Sequence, residues 1–397
     1  MKIALVCPAS LPATQFGGIL FLCVDMAREL AKEGHDITIF TTDLDSANNA
    51  RTFNKNLPRM ETYGGFKINR SHVWFSFQLF YVNPGMYCQI IKDRHDIIHT
   101  VGLRSFQSFV ASLAAKNRKI PLVISDQGGL TTHPELKSSL FKRMLYKLQN
   151  PVIRFIINQA DRIVVANEYE KEIFAKFTSD SKITIVRNGI SLDELRSASR
   201  DFKEKYRIQG RFVLFVGRFS KVKGIDILLR AWSQIKEETD KLNTKLVIMG
   251  VDFGFESDMY KMIDELKMKD SVIVIKKPPR EEVISAYQWC EFLVLPSRWE
   301  LSPLTPLEVF AFRKPVISTM THGIPYTIKD GVNALLIEPE NHQQLATSIL
   351  KLLKNDELRK EYGQAGYEFV RDIGNSKIMV KNILRIYQEI VNAHLIR

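Results

Sequence analysis

Short β-branched apolar runs alternate with amphipathic stretches along the whole chain, and this alternation constrains the fold more than any other feature. Candidate strands are Ile3–Cys7, Ile37–Thr41, Asp96–His99, Pro121–Ser125, Arg162–Val165 and Ile183–Val186. A second series follows at Phe212–Val216, Lys245–Met249, Val272–Ile275, Phe292–Leu295, Pro315–Ser318 and Ala334–Ile337. Between them, Ile19–Glu33, Gly224–Glu238 and Glu281–Trp289 carry apolar residues at helical spacing. Brief strands separated by helices imply parallel sheets covered on both faces, so an α/β chain with two Rossmann-like, doubly wound domains is predicted. A length of 397 residues agrees, because single cores rarely grow past roughly 250–300 residues.

The junction is predicted near Asn188-Gly189-Ile190-Ser191, where an Asn-Gly turn closes the first series and a polar helical segment, Asp193–Arg207, leads to the next strand. That gives an N-terminal domain over residues 1–192 and a C-terminal one over 193–374. The tail from Asn375 to Arg397 reads as a helix, with Ile378, Met379, Ile383, Leu384, Ile386, Tyr387 and Ile390 at helical spacing. Open parallel sheets bind ligands at the carboxyl ends of their strands, so two such domains are expected to face an interdomain cleft.

With 45% hydrophobic and 25% charged residues, the composition excludes disordered, collagen-like and coiled-coil chains. No apolar run approaches the ~18 residues of a membrane-spanning helix, and the segment before Pro8 is too short for a signal peptide. Cys7, Cys23, Cys88 and Cys290 show no paired spacing, so neither a zinc site nor a disulfide framework is expected and a reducing cytoplasm fits. The net charge of +12 is uneven: residues 51–150 hold 15 Lys/Arg against 5 Asp/Glu. Such a surplus suits an anionic partner, whether nucleic acid, phospholipid headgroups or a phosphorylated substrate, or serves solubility alone.

The chemistry is expected in loops that follow strands. Gly17-Gly18 precedes the first helix, where paired glycines admit a ligand to the backbone and helix-start amides face an anion. After Phe212–Val216 comes Gly217-Arg218-Phe219-Ser220-Lys221-Val222-Lys223-Gly224, whose cations Arg218 and Lys223 suit a diphosphate that gains charge as it leaves. A solvated basic loop explains this segment equally well by itself. After Phe292–Leu295 comes Glu300-Leu-Ser-Pro-Leu-Thr-Pro-Leu-Glu308, in which Ser302 reads as a helix N-cap with Pro303 at the first helical position. Glu308 would then sit roughly 9 Å further along the helix. Carboxylates on either side of helix-start amides fit a ligand with diols at both ends of a phosphate, as in a nucleotide sugar. In the first half, Asp126-Gln127-Gly128-Gly129 with His133 follows one strand and His99 closes another, giving candidate substrate contacts. The aromatic stretch Trp74–Tyr81 and the segment Lys137–Ile157, apolar on one side and basic elsewhere, suit docking on an anionic membrane surface, although each also reads as core plus solvated lysines.

In this order Gly17-Gly18, Asp96–His99, Asn188-Gly189-Ile190, Gly217-Arg218…Lys223-Gly224, Glu300…Glu308 and Asp330-Gly331-Val332-Asn333-Ala334-Leu335-Leu336 resemble the GT-B retaining glycosyltransferases of family 4. The resemblance implies a nucleoside-diphosphate sugar bound mainly by the C-terminal domain and a glycan or lipid-linked acceptor on the N-terminal one, with the last helix crossing back onto the latter. It implies that Arg218 and Lys223 neutralise the diphosphate, Glu308 holds the ribose and Glu300 the donor sugar. Transfer would retain configuration by front-face attack, with no metal and no cofactor beyond the donor substrate. Three positions depart from the family pattern. Gln127 stands where many members have a histidine, so Gln127 or His133 takes that role. Ser302-Pro303 replaces Phe-Gly, leaving the Ser302 hydroxyl and the Leu304 and Thr305 amides as donors. Tyr326 replaces a glutamate. The alternative function is a catalytically silent binding or scaffold subunit; a nucleic-acid partner rests on charge alone and is not expected.

Overall fold

The computed structural model describes residues 1–45, 52–77, 80–128, 130, 144, 147–195 and 201–396. They form two compact units, Met1–Gly189 with Ser376–Arg397, and Ile190–Asn375.

The first unit is built on an eight-stranded sheet. Its strands are β1 (Lys2–Val6), β2 (Asp36–Thr42), β3 (Met60–Tyr63), β4 (Phe66–Ser71), β7 (Ile97–Val101), β8 (Leu122–Ser125), β9 (Arg162–Val165) and β10 (Ile183–Ile185). The order is β10-β9-β8-β7-β1-β2-β4-β3, parallel except for β3, which runs antiparallel along the edge. The short hairpin β5 (Phe75–Phe77) and β6 (Phe80–Val82) stands apart from this sheet. All six strands expected in this half are present within a residue or two of their predicted bounds; β3 to β6 were not foreseen. β4 escapes an apolar pattern because it buries Asn69 and Arg70, whose Nη1 and Nη2 are held there by Glu61 and by the carbonyls of Pro58 and Leu11. The C-terminal helix Ser376–Ile396 belongs to this unit and packs on the helix Gly18–Lys32.

The second unit holds β11 (Arg211–Val216), β12 (Thr244–Gly250), β13 (Val272–Lys276), β14 (Leu293–Leu295), β15 (Val316–Thr319) and β16 (Ala334–Ile337). They form a fully parallel sheet ordered β13-β12-β11-β14-β15-β16. Alternate side chains of β11 enter opposite cores: Val213 and Phe215 pack with Trp232 and Ile349, whereas Phe212, Leu214 and Val216 pack with Tyr287 and Phe310. Burial on both faces explains why these strands are uninterrupted apolar runs. Expected helices differ in detail. Gly224–Glu238 breaks at Ile235 into Ile225–Gln234 and Lys236–Lys241, because Ile235 turns out of helical geometry to stay buried. In the described part of Asp193–Arg207 only Phe202–Lys205 is helical.

Candidate active site

In the second sheet the chain order reverses between β11 and β14, so the loops after these two strands emerge side by side, the position at which open α/β sheets bind ligands. Gly224 closes the first loop with φ +71°, and a Cβ there would lie 2.0 Å from the Pro296 carbonyl oxygen. Only glycine permits this approach of the two loops. Across the junction, the Lys223 ammonium binds the Glu300 carboxylate directly, and Ser297 Oγ lies 3.4 Å from the same carboxylate. Glu300 is buried and Lys223 is half-buried, so solvent screens the pair only partly.

Arg298 ties the two loops together. Its backbone N–H donates to the Val222 carbonyl (2.8 Å), and Nη1 donates to the Lys221 carbonyl (2.5 Å). The guanidinium also grips Asp226 with two bonds of 2.7 and 2.8 Å, and it pairs with Glu340. Such a planar fork fixes the turn that carries Lys223. Arg218 leaves the same loop in another direction, with its guanidinium 4.5 Å from the centre of the Phe253 ring.

Glu308 lies inside the helix Leu304–Phe310 and is buried. Arg280 Nη2 donates to its Oε1 (2.5 Å) and the Tyr287 hydroxyl to its Oε2 (2.7 Å). The helix starts one residue later than predicted. Pro303 occupies the cap position in an extended conformation with no side-chain cap bond, so Ser302 is not the N-cap. Pro303 and Pro306 carry no N–H, which leaves the Leu304 and Thr305 amides at the helix start.

In the first unit, Gly17 adopts φ +106° just before the helix Gly18–Lys32, a conformation that favours glycine. Asp126 is buried and accepts from the Leu130 N–H (2.9 Å). Gln127, at φ +53°, exchanges two amide hydrogen bonds of 3.0 Å with Asn188. Glu170, in the helix Glu168–Phe174 after β9, is fully buried, and burial together with the Asp126 charge pushes its carboxyl up to about 8. His99 does not serve as a substrate contact. It is completely buried, with Nδ1 bonded to the Tyr387 hydroxyl (2.5 Å) and Nε2 to Ser125 Oγ (2.7 Å), and burial lowers it to about 3. Its neutral ring anchors the C-terminal helix to β7 and β8. His133 and Gly129 lie outside the described residues.

A family model described as Glycosyltransferase Family 4 matches residues 16–194, and one described as Glycosyl transferases group 1 matches residues 198–369. The chain belongs to the GT-B group 1 glycosyltransferases. An uncharacterized glycosyltransferase of Methanocaldococcus jannaschii is 29% identical, over 72% of this chain and 73% of the relative. A D-inositol 3-phosphate glycosyltransferase of Corynebacterium aurimucosum is 26% identical, over 93% and 91%. Among solved structures, Anabaena HepE in complex with UDP-glucose is similar with a TM-score of 0.76 at 17% identity, covering 98% of this chain and 100% of that one.

Of the residues expected at the site of this glycosyltransferase, the structure joins Lys223 to Glu300. It places Arg218 on Phe253 and Glu308 between Arg280 and Tyr287. Sequence reasoning missed Arg298, Arg280, Tyr287 and Phe253. Arg298 offered one signal, a cation two residues before Glu300 in a loop after a strand; the other three are brought in only by folding. Among the described residues, no helix is long and apolar enough to cross a membrane. The β5–β6 hairpin region nevertheless exposes Trp74 (72%), Phe75 (62%) and Phe77 (52%), and Met144 and Leu148 of the expected apolar face are exposed too.

Proposed function

We propose that this glycosyltransferase moves a sugar from a nucleoside-diphosphate donor to a glycan or lipid-linked acceptor with retention of anomeric configuration and without a divalent metal. The observation that carries this reading is the Lys223–Glu300 contact at the point where strand order reverses, since it puts a phosphate-binding cation beside a hydroxyl-binding carboxylate. Lys223 and Arg218 neutralise the diphosphate as the bond between the anomeric carbon and the phosphate oxygen breaks. The acceptor hydroxyl attacks the same face through an oxocarbenium-like state. Its proton passes to the departing phosphate oxygen, and the nucleoside diphosphate leaves. Glu300 holds hydroxyls of the transferred sugar and Glu308 those of the ribose, while Ser302 and the amides of Leu304 and Thr305 donate to the phosphate. To the first unit this reading assigns Gly17 and Gly18 as donor-binding residues and Asp126 as an acceptor contact. The HepE complex with UDP-glucose supports a nucleoside-diphosphate-sugar donor.

Isothermal titration with UDP and GDP tests the reading. Lys223→Ala or Arg218→Ala is expected to weaken nucleotide binding about tenfold or more. Binding unaltered by both substitutions refutes the assignment.

A second reading, a catalytically silent binding subunit, is favoured by one observation: the Gln127 amide is engaged on both its atoms by Asn188. Sugar transfer by purified protein, lost in Glu300→Gln, excludes it. The exposed aromatic hairpin and the basic charge of residues 51–150 support peripheral contact with an anionic membrane at its cytoplasmic face.

A further inference from the structure

Nine described non-glycine residues adopt positive φ, a region that side chains with a Cβ enter at a cost. Five of them (Lys119, Arg207, Asn243, Lys267 and Arg313) lie just past the ends of helices, where a left-handed residue terminates the helical ladder. The other four follow strands. Gln127 is clamped by Asn188, Glu340 is paired to Arg298, and the Lys277 N–H bonds the Gly250 carbonyl (2.8 Å). The fourth is His322, at φ +48° in the loop after β15.

Its position explains what the strain serves. The next residue, Gly323, donates its N–H to the Glu300 carbonyl (3.1 Å), and Thr319 Oγ1 bonds the Ser297 carbonyl (2.5 Å). These bonds hold the β15 loop against the β14 loop that carries Glu300. The imidazole packs 6.3 Å from the ring of Trp299, the immediate neighbour of Glu300, and Nδ1 pairs with Thr321 Oγ1 (2.6 Å). Half-burial lowers the ring's pKa, so at neutral pH it is uncharged and both donates and accepts hydrogen bonds. A left-handed residue held against the loop that carries a candidate ligand carboxylate is a pattern in which strain accompanies function.

We propose that His322 is a specificity-determining residue of the donor site, where its imidazole contacts hydroxyls of the transferred sugar next to Glu300. This inference rests on the nucleotide-sugar reading of the same site. It distinguishes the sugar from the nucleotide: His322 stands on the β15 loop, on the far side of the β14 loop from the β11 loop that carries the cations assigned to the diphosphate.

The test is isothermal titration of the full chain with UDP, GDP, UDP-glucose and GDP-mannose, together with thermal unfolding. His322→Gly and His322→Asn are the variants, because both residues accept the left-handed conformation and so preserve the fold. The expected result is binding of the bare nucleoside diphosphate within about twofold of the unsubstituted chain, with the extra affinity due to the sugar reduced by about tenfold. The thermal midpoint should stay unchanged or rise, as relief of strain requires. Sugar-nucleotide binding equal to that of the unsubstituted chain overturns the proposal. So does an equal loss for bare and sugar-bearing nucleotides, which would make His322 a support for the loop. If the unsubstituted chain binds none of the four ligands, the donor reading itself fails and this inference goes with it.

Discussion

The ammonium of Lys223 and the carboxylate of Glu300, 77 residues apart in the chain, neutralise each other across two adjacent loops. A nucleoside diphosphate arriving at Lys223 therefore competes with Glu300. Glu300→Gln removes that competitor while keeping the side chain's shape. Bare UDP or GDP is expected to bind at least as tightly as to the unsubstituted chain, whereas sugar transfer falls by about a hundredfold or more, the scale of losing a charged contact to the reacting group. Titration and a product assay on one sample measure both.

Arg298 touches no ligand in this scheme yet fixes the turn that carries Lys223. Arg298→Ala strands the half-buried Asp226 without its counter-charge and is expected to destabilise the fold by about 3 kcal/mol. Arg298→Lys should recover little, because an ammonium cannot hold Asp226 and the Lys221 carbonyl together as a fork does. Urea unfolding gives the stability, and the KM for the donor should rise in both variants while expression of folded protein persists in the lysine one.

Glu308 can serve a ribose only if Arg280 and Tyr287 keep its carboxylate in place. Tyr287→Phe is expected to cost about 2 kcal/mol of stability through one lost hydrogen bond to a buried charge. Arg280→Ala should also erase any preference for UDP over its 2′-deoxy form. Titrating both nucleotides against the two proteins checks this. A preference that survives Arg280→Ala would detach Glu308 from ribose recognition.

In the first unit His99 and Glu170 make opposed contributions to the pH dependence of stability. Folded His99 stays neutral down to about 3, whereas in the unfolded chain it protonates near its ordinary 6.5, so stability falls as pH drops through that window. Folded Glu170 holds its proton up to about 8, whereas the unfolded chain releases it near 4.5, so stability falls as pH rises from 4.5 to 8. From 4.5 to 6.5 these two slopes oppose each other, and His35 and His95, both lowered by burial, add to that of His99. From 6.5 to 8 only Glu170 acts, and the chain should lose on the order of 2 kcal/mol. Denaturant unfolding at these two pH values should show that loss, and Glu170→Gln should remove it.

Trp74, Phe75 and Phe77 form the exposed apolar part of the proposed membrane contact. The chain is expected to sediment with anionic vesicles at low salt and to be released by high salt. Changing the three residues together to serine should abolish pelleting while leaving nucleotide affinity unchanged, since none belongs to the donor site. Failure of the unsubstituted chain to pellet at low salt refutes the contact.

The amino-acid sequence by itself determined both series of parallel strands and the two loops in which Lys223 and Glu300 meet. A parallel strand buried on both faces is written as a continuous apolar run, as in Phe212–Val216, and binding loops follow such strands by topology. Local chemistry also marked Gly224, Lys223, Glu300 and Glu308. Where local and long-range forces disagree, local reading failed: β4 was hidden by Arg70, whose burial depends on Glu61 and two distant carbonyls, and the helix cap moved from Ser302 to Pro303. Only the tertiary structure decided who meets whom. It buried His99 against Tyr387, closed the Gln127–Asn188 amide pair, and set Arg280 and Tyr287 on Glu308. Those contacts depend on side chains brought within about 3 Å by folding, and a one-dimensional pattern carries no record of such distances.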